Sequence, residues 1–166
     1  MKAMVLYDSQ FGNTARIARA IADGLGRTLE GDETVGLHRI SEANPDHLSG
    51  LDLLIVGSPT QKFRPLPTTT AFLKRLPQNG LKGIKVAAFD TRITEEEVHA
   101  HGVLSKMVDI FGYAADPISD RLGKKGGEVV MPPEGFTVTG TEGPLTEGEL
   151  DRAAAWARQI LAKVKQ

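Results

Sequence analysis

A doubly wound α/β fold, with a parallel sheet covered by helices on both faces, is predicted from three observations. Short apolar runs alternate with amphipathic stretches about five times along the 166 residues. The clearest run, Leu51 to Val56, is apolar except for Asp52, the pattern of a strand buried on both faces. Each helix-like stretch is long enough to cross from one parallel strand to the next, and right-handed crossovers then restrict the topology. The chain suits a single domain over residues 1–166 with five parallel strands.

The elements follow in order. Ala3 to Tyr7 reads as a buried strand. Thr14 to Leu25 reads as a helix, with Ile17, Ala18, Ile21, Ala22 and Leu25 on one face. Thr34 to Ile40 is a strand. Asn44-Pro45 supplies a cap and a first-turn proline for a short helix. Leu51 to Val56 is the third strand, and Thr68 to Leu76 is a helix that Pro77 ends. Lys85 to Phe89 is the fourth strand. Thr94 and Glu97 have capping-box spacing. Val103 to Phe111 is helical and Gly112 stops it. Glu128 to Met131 begins a fifth strand, which Phe136 to Val138 resumes after Pro132-Pro133. Thr146 and Glu149 repeat the capping-box spacing before a final helix whose core face runs from Leu150 to Val164.

Bulk properties exclude several function classes. Hydrophobic residues make up 40% and net charge is −1, so no basic footprint for nucleic acid is present. The absence of cysteine rules out disulfides, thiolate catalysis and iron–sulfur clusters. No apolar run approaches the roughly 20 residues of a membrane helix. The N-terminal segment meets Asp8 too soon to read as a signal peptide, and a cytoplasmic location without membrane contact is expected. His99 and His101 do not share a helix face, and no metal site is expected.

In an open parallel sheet, ligands bind beyond the carboxyl ends of the strands. Three loops leave such ends: Asp8 to Thr14, Gly57 to Pro67, and Asp90 to Gly102. The first is the most informative. Ser9-Gln10-Phe11-Gly12-Asn13-Thr14 has four small polar or glycine positions in six. It leads straight into a helix whose free N–H groups and positive dipole end attract an anion. This describes a phosphate site containing no Lys or Arg. No Gly-Lys-Ser/Thr follows, and the three-glycine dinucleotide spacing is missing.

At these residues the chain resembles the flavodoxin family. Ser9-x-x-Gly12-Asn13-Thr14 after Tyr7-Asp8 is similar to that family's phosphate loop for flavin mononucleotide (FMN), and Gly57-Ser58-Pro59-Thr60 is similar to its second loop. The resemblance implies strand order 2-1-3-4-5 in a short-chain form, with FMN as cofactor. It implies that Ser9, Gln10, Phe11, Gly12, Asn13 and Thr14 hold the phosphate. Ser58, Pro59, Thr60, Gln61, Lys62 and Phe63 would flank one side of the flavin ring, and Asp90, Thr91 and Arg92 the other. No side chain is expected to act as a catalytic nucleophile or base.

The chain departs from the family in three ways. Phe63 is the only candidate ring-stacker on the second loop, the third loop offers no placeable aromatic, and the net charge is near zero. Gln61 to Pro67 contains no glycine, so moving this loop's backbone into the left-handed region is expected to cost roughly 1–2 kcal/mol per residue. Lys62, Arg64 and Arg92 surround the expected ring site, whereas Trp156 reads as packing. The implied function is electron transfer to a redox partner protein or small electron acceptor. The alternatives are an FMN-dependent NAD(P)H:quinone-type reductase and a flavin-free binding domain of the same fold.

Overall fold

A computed structural model describes all residues from Met1 to Gln166. The strands are β1 (Lys2–Tyr7), β2 (Thr34–Arg39), β3 (Leu53–Pro59), β4 (Lys85–Ile93), β5 (Glu128–Val129) and β6 (Glu134–Val138). The helices are α1 (Asn13–Gly26), α2 (Pro67–Arg75), α3 (Glu95–Ala100), α4 (Gly102–Phe111), α5 (Ala115–Lys124) and α6 (Glu149–Val164). All strand pairings in the sheet are parallel, in the order β2-β1-β3-β4-β5, and β6 also pairs with β4. The expected order 2-1-3-4-5 is therefore present, with six strands in place of five. The fifth position is split because Met131-Pro132-Pro133 interrupts the ladder, and proline has no N–H to donate.

Strand β3 explains the unbroken apolar run. Leu53 and Ile55 point into one core, together with Ile17, Ile21, Phe89, Phe136 and Trp156. Leu54 and Val56 point into the other, with Leu6, Phe72, Val86, Ile118 and Leu122. Period-2 alternation thus delivers apolar side chains to both helical layers. Trp156 packs edge-on against Phe89 and Phe136 at centroid distances of 6.3 and 6.0 Å, a packing role as expected.

Several sequence expectations are corrected. Helix α5 was not anticipated, because Asp116-Pro117 and Gly123 obscure a helical face made by Ala115, Ile118, Ser119 and Leu122. The spacing at Thr146 and Glu149 does not form a capping box. Gly148, with φ of 87°, caps α6 instead, and the Glu149 carboxylate accepts the Thr137 N–H at 2.7 Å. The Thr94 cap does form: its hydroxyl accepts the Glu97 N–H at 3.3 Å.

Register sets the site. Tyr7 lies opposite Gly57, Gly57 opposite Phe89, and Ser58 opposite Asp90. The carboxyl ends of three adjacent strands are therefore level, and their loops meet over one crevice. Helices α1 and α6 cross closely at Gly24, where a Cβ would lie 2.8 Å from the Ala154 carbonyl oxygen and 2.9 Å from its Cα. Gly26, in the same helix, would meet only Val35 Cγ1 at 3.6 Å. Replacing helical glycine by alanine ordinarily stabilises by roughly 0.5–1 kcal/mol, whereas overpacking costs about 1–3 kcal/mol. Gly26→Ala should therefore raise stability slightly, and Gly24→Ala should lower it by about 1–2 kcal/mol. Urea unfolding of the two variants checks this, and a stabilised Gly24→Ala variant would contradict the packing.

Candidate functional site

The first loop is braced from within. The Asp8 carboxylate accepts the Ser9 N–H at 2.8 Å and also the Thr68 hydroxyl, tying the end of β1 to the start of α2. The Ser9 hydroxyl accepts the N–H groups of Gly12 at 3.1 Å and Ala15 at 3.4 Å. Gly12, the residue before α1, has φ of 92°, which turns the short loop after β1 into the helix. This turn leaves the N–H groups of Gln10, Phe11, Asn13 and Thr14 without a protein acceptor. The Asn13 side-chain amide donates to the Glu142 carbonyl at 3.0 Å, and a Cβ at Gly143 would come within 2.7 Å of that amide. The buried Thr14 hydroxyl meets that of Thr91 at 2.7 Å, joining the first loop to the third. No Lys or Arg belongs to the loop, although the Arg39 guanidinium donates to the Ser9 carbonyl at 3.4 Å.

The second loop corrects one expectation. Ser58 is fully buried and its hydroxyl is committed internally. It accepts the Leu66 N–H at 2.9 Å and donates to the Pro59 carbonyl at 3.0 Å. It shapes the loop and does not face the crevice. The absence of glycine does not keep the loop out of left-handed space: Lys62 and Phe63 have φ of 48° and 65°. They are the central residues of a two-residue turn closed by reciprocal N–H···O=C bonds between Gln61 and Arg64, at 2.9 and 3.0 Å. Two positive φ values in succession are the type I′ pattern. Such backbone costs roughly 1–2 kcal/mol per non-glycine residue. The offset comes from those two bonds, from the Phe63 ring against Phe111 at 5.9 Å, and from the anchored Thr60. Thr60 donates its N–H to the Thr91 carbonyl at 2.8 Å, and its hydroxyl accepts the Ala114 N–H at 3.0 Å.

The third loop contains a layered cation. Asp90 is fully buried and does not line the crevice, contrary to expectation. Its carboxylate accepts both Arg92 Nε and Nη2 at 2.7 Å and the Ala115 N–H at 2.9 Å. The Arg92 guanidinium lies over the Tyr113 ring at 3.7 Å from its centroid. On another side it occupies space that a Cβ at Gly135 would enter, 2.2 Å from its Cζ and Nε. Burial pushes the Asp90 carboxyl up, with Arg92 and the Ala115 N–H acting against that shift. Burial works against the Arg92 cation, but its bonds to Asp90 outweigh this and its pKa is raised. The Tyr113 phenol is also pushed up, chiefly by burial.

Together the loops enclose a cavity of about 410 Å³. Gln10, Phe11, Asn13 and Thr14 line one end, Pro59 to Phe63 one side, and Thr91, Arg92 and Ile93 the other. Six lining residues were not expected: Ile93, Leu104, Val108, Tyr113, Val138 and Thr141. Tyr113 supplies the aromatic that the third loop seemed to lack. It was hidden because α3 and α4 interrupt that loop and return it to the crevice only after Gly112. Ser9 and Gly12 build the first loop from behind the lining. The donor set and the apolar walls fit FMN: uncommitted N–H groups lie at one end, and aromatic and aliphatic side chains further in. No three His, Cys, Asp or Glu side chains come together in a way that could hold a metal.

Comparisons with known proteins give the fold and the family. The family model described as Flavodoxin matches residues 5–156. A flavodoxin of Aquifex aeolicus is 44% identical over 59 residues, a stretch that spans 36% of this chain and 31% of that protein. The solved structure of a flavodoxin from the domain Archaea superposes with a TM-score of 0.75 at 23% identity, covering 100% of both chains. Oxidised Flavodoxin 1 of Bacillus cereus gives a TM-score of 0.75 at 18% identity, with 98% of each chain covered. These two likenesses establish the fold. The family match over most of the sequence establishes membership: the chain belongs to the flavodoxin family of FMN-binding electron-transfer proteins.

Proposed function

We propose that the cavity holds FMN with its phosphate on the N–H groups of Gln10, Phe11, Asn13 and Thr14. The ring then lies between the Pro59–Phe63 limb and the limb carrying Thr91, Arg92 and Tyr113. The observation that carries this reading is the set of four uncommitted N–H groups at one end of an apolar crevice. FMN, when bound, supplies the electron-accepting chemistry. The chain's own residues bind, orient and exclude water. The Thr14–Thr91 contact fixes the distance between the phosphate end and the ring end. Residues 1–166 act here as one unit, passing electrons to a partner protein or a small acceptor. No helix is long and apolar enough to cross a membrane.

The phosphate should dominate affinity. Hydrogen bonds to a charged group contribute about 1.5–3 kcal/mol each, so losing even two should weaken binding more than tenfold. Calorimetry with FMN and riboflavin checks this, and equal affinity would refute the assignment of the phosphate end. Arg92 gives a second expectation. Asp90 is buried behind it, so the pair presents its positive end to the cavity and favours added electrons on the flavin. Removing Arg92 alone would strand a buried carboxylate at a cost of about 3–5 kcal/mol. Asp90→Asn with Arg92→Gln avoids this. At an effective dielectric of about 20 the pair is worth on the order of 1 kcal/mol. The midpoint potential of the FMN-loaded double variant should therefore fall by a few tens of millivolts, since 59 mV is tenfold for one electron. An unchanged or raised potential in a spectroelectrochemical titration would remove Arg92 from the ring's environment.

A further inference from the structure

We propose that a second groove, between α2 and α5 and backed by Phe63, binds a nucleotide diphosphate next to the flavin cavity. The groove has a volume of about 680 Å³, within the roughly 300–1,000 Å³ range of small-molecule sites. Its floor and walls include Phe63, Phe111 and Pro117, and Arg64, Lys74 and Arg121 supply its charge. No Asp or Glu lines it. None of these three cations has a carboxylate within 4.0 Å, whereas the neighbouring Lys124 is neutralised by Asp120 at 2.7 Å.

The three cations come from three separate segments: the turn after β3, the last turn of α2 and the last turn of α5. A helix C-terminus alone accounts for a cation in each last turn. It does not account for Arg64, nor for the lack of any acid in the groove. The negative end of α2 is itself screened, because the Lys125 ammonium donates to the Leu76 carbonyl at 2.6 Å. The chemistry required of an occupant follows. Uncompensated guanidinium and ammonium groups favour phosphate oxygens, which arginine takes as a fork. The aromatic and proline surfaces favour a flat ring system. Two linked phosphates on a nucleoside satisfy both requirements. Phe63 is a wall of the groove and of the flavin cavity alike, so an occupant is separated from the ring site by one side chain.

The test is calorimetry on the FMN-loaded full chain with ADP, inorganic pyrophosphate and adenosine as probes. Loading with FMN keeps the probes off the first loop. ADP should bind one to one, more weakly at high salt, with adenosine at least tenfold weaker. Lys74→Gln and Arg121→Gln should each weaken ADP about tenfold, the loss of one charge-assisted bond. Both variants should leave FMN affinity unchanged. ADP no tighter than adenosine would overturn the proposal. So would variants that retain full ADP affinity, or a groove that binds polyglutamate but not ADP. Failure of FMN to bind would instead refute the flavin site, and the Lys74 and Arg121 comparison would still be readable on the unloaded chain.

Discussion

A five-residue loop, Asp8 to Gly12, joins a central strand to helix α1, and the site depends on that junction. The first N–H groups of any helix lack intrahelical acceptors. Here one side chain, Ser9, satisfies only Gly12 and Ala15, and Gly12 in left-handed conformation makes the turn that points the others at the crevice. The remaining donors form a fixed patch of positive potential that needs no lysine or arginine. An anion held there is oriented by backbone, which cannot swing away as a long side chain can. The braces around the junction follow from the same need. Asp8 clamps α2, Asn13 clamps the turn at Glu142, and Thr14 clamps β4 through Thr91.

The two side walls of the crevice are built on opposite principles. The second-loop wall stores backbone strain at Lys62 and Phe63, held by two turn hydrogen bonds and an aromatic contact with Phe111. The third-loop wall is held by charge: a buried carboxylate, a guanidinium bound to it in bidentate fashion, and a tyrosine ring over the cation. Gly135 is required for this arrangement, since any Cβ there would occupy the place of the guanidinium.

The sheet was legible because periodicity is a property of sequence alone. Leu53 to Val56 must serve two cores, and nothing but an unbroken apolar run does that. The first loop was legible because Gly12 and its polar neighbours are local. What was not legible depends on distance along the chain. Tyr113 reaches the crevice only because α3 and α4 fold the third loop back on itself. Asp90 and Ser58 looked like ligand residues by position. Each turned inward to accept a backbone N–H, that of buried Ala115 or of half-buried Leu66. Helix α5 escaped because Pro117 lies in its first turn, where proline is tolerated but reads as a breaker. The left-handed pair Lys62-Phe63 could not be read from residue types, because tertiary contacts overrode an unfavourable propensity.

The most direct test of the first-loop account is backbone amide NMR of the 15N-labelled chain during titration with FMN. If the α1 junction receives the phosphate, the amide protons of Gln10, Phe11, Asn13 and Thr14 should move downfield on saturation. Their exchange with solvent should slow, while the amides of Gly12 and Ala15, already bonded to Ser9, move less. FMN binding that perturbs other amides and leaves those four unchanged in shift and exchange rate would contradict the account.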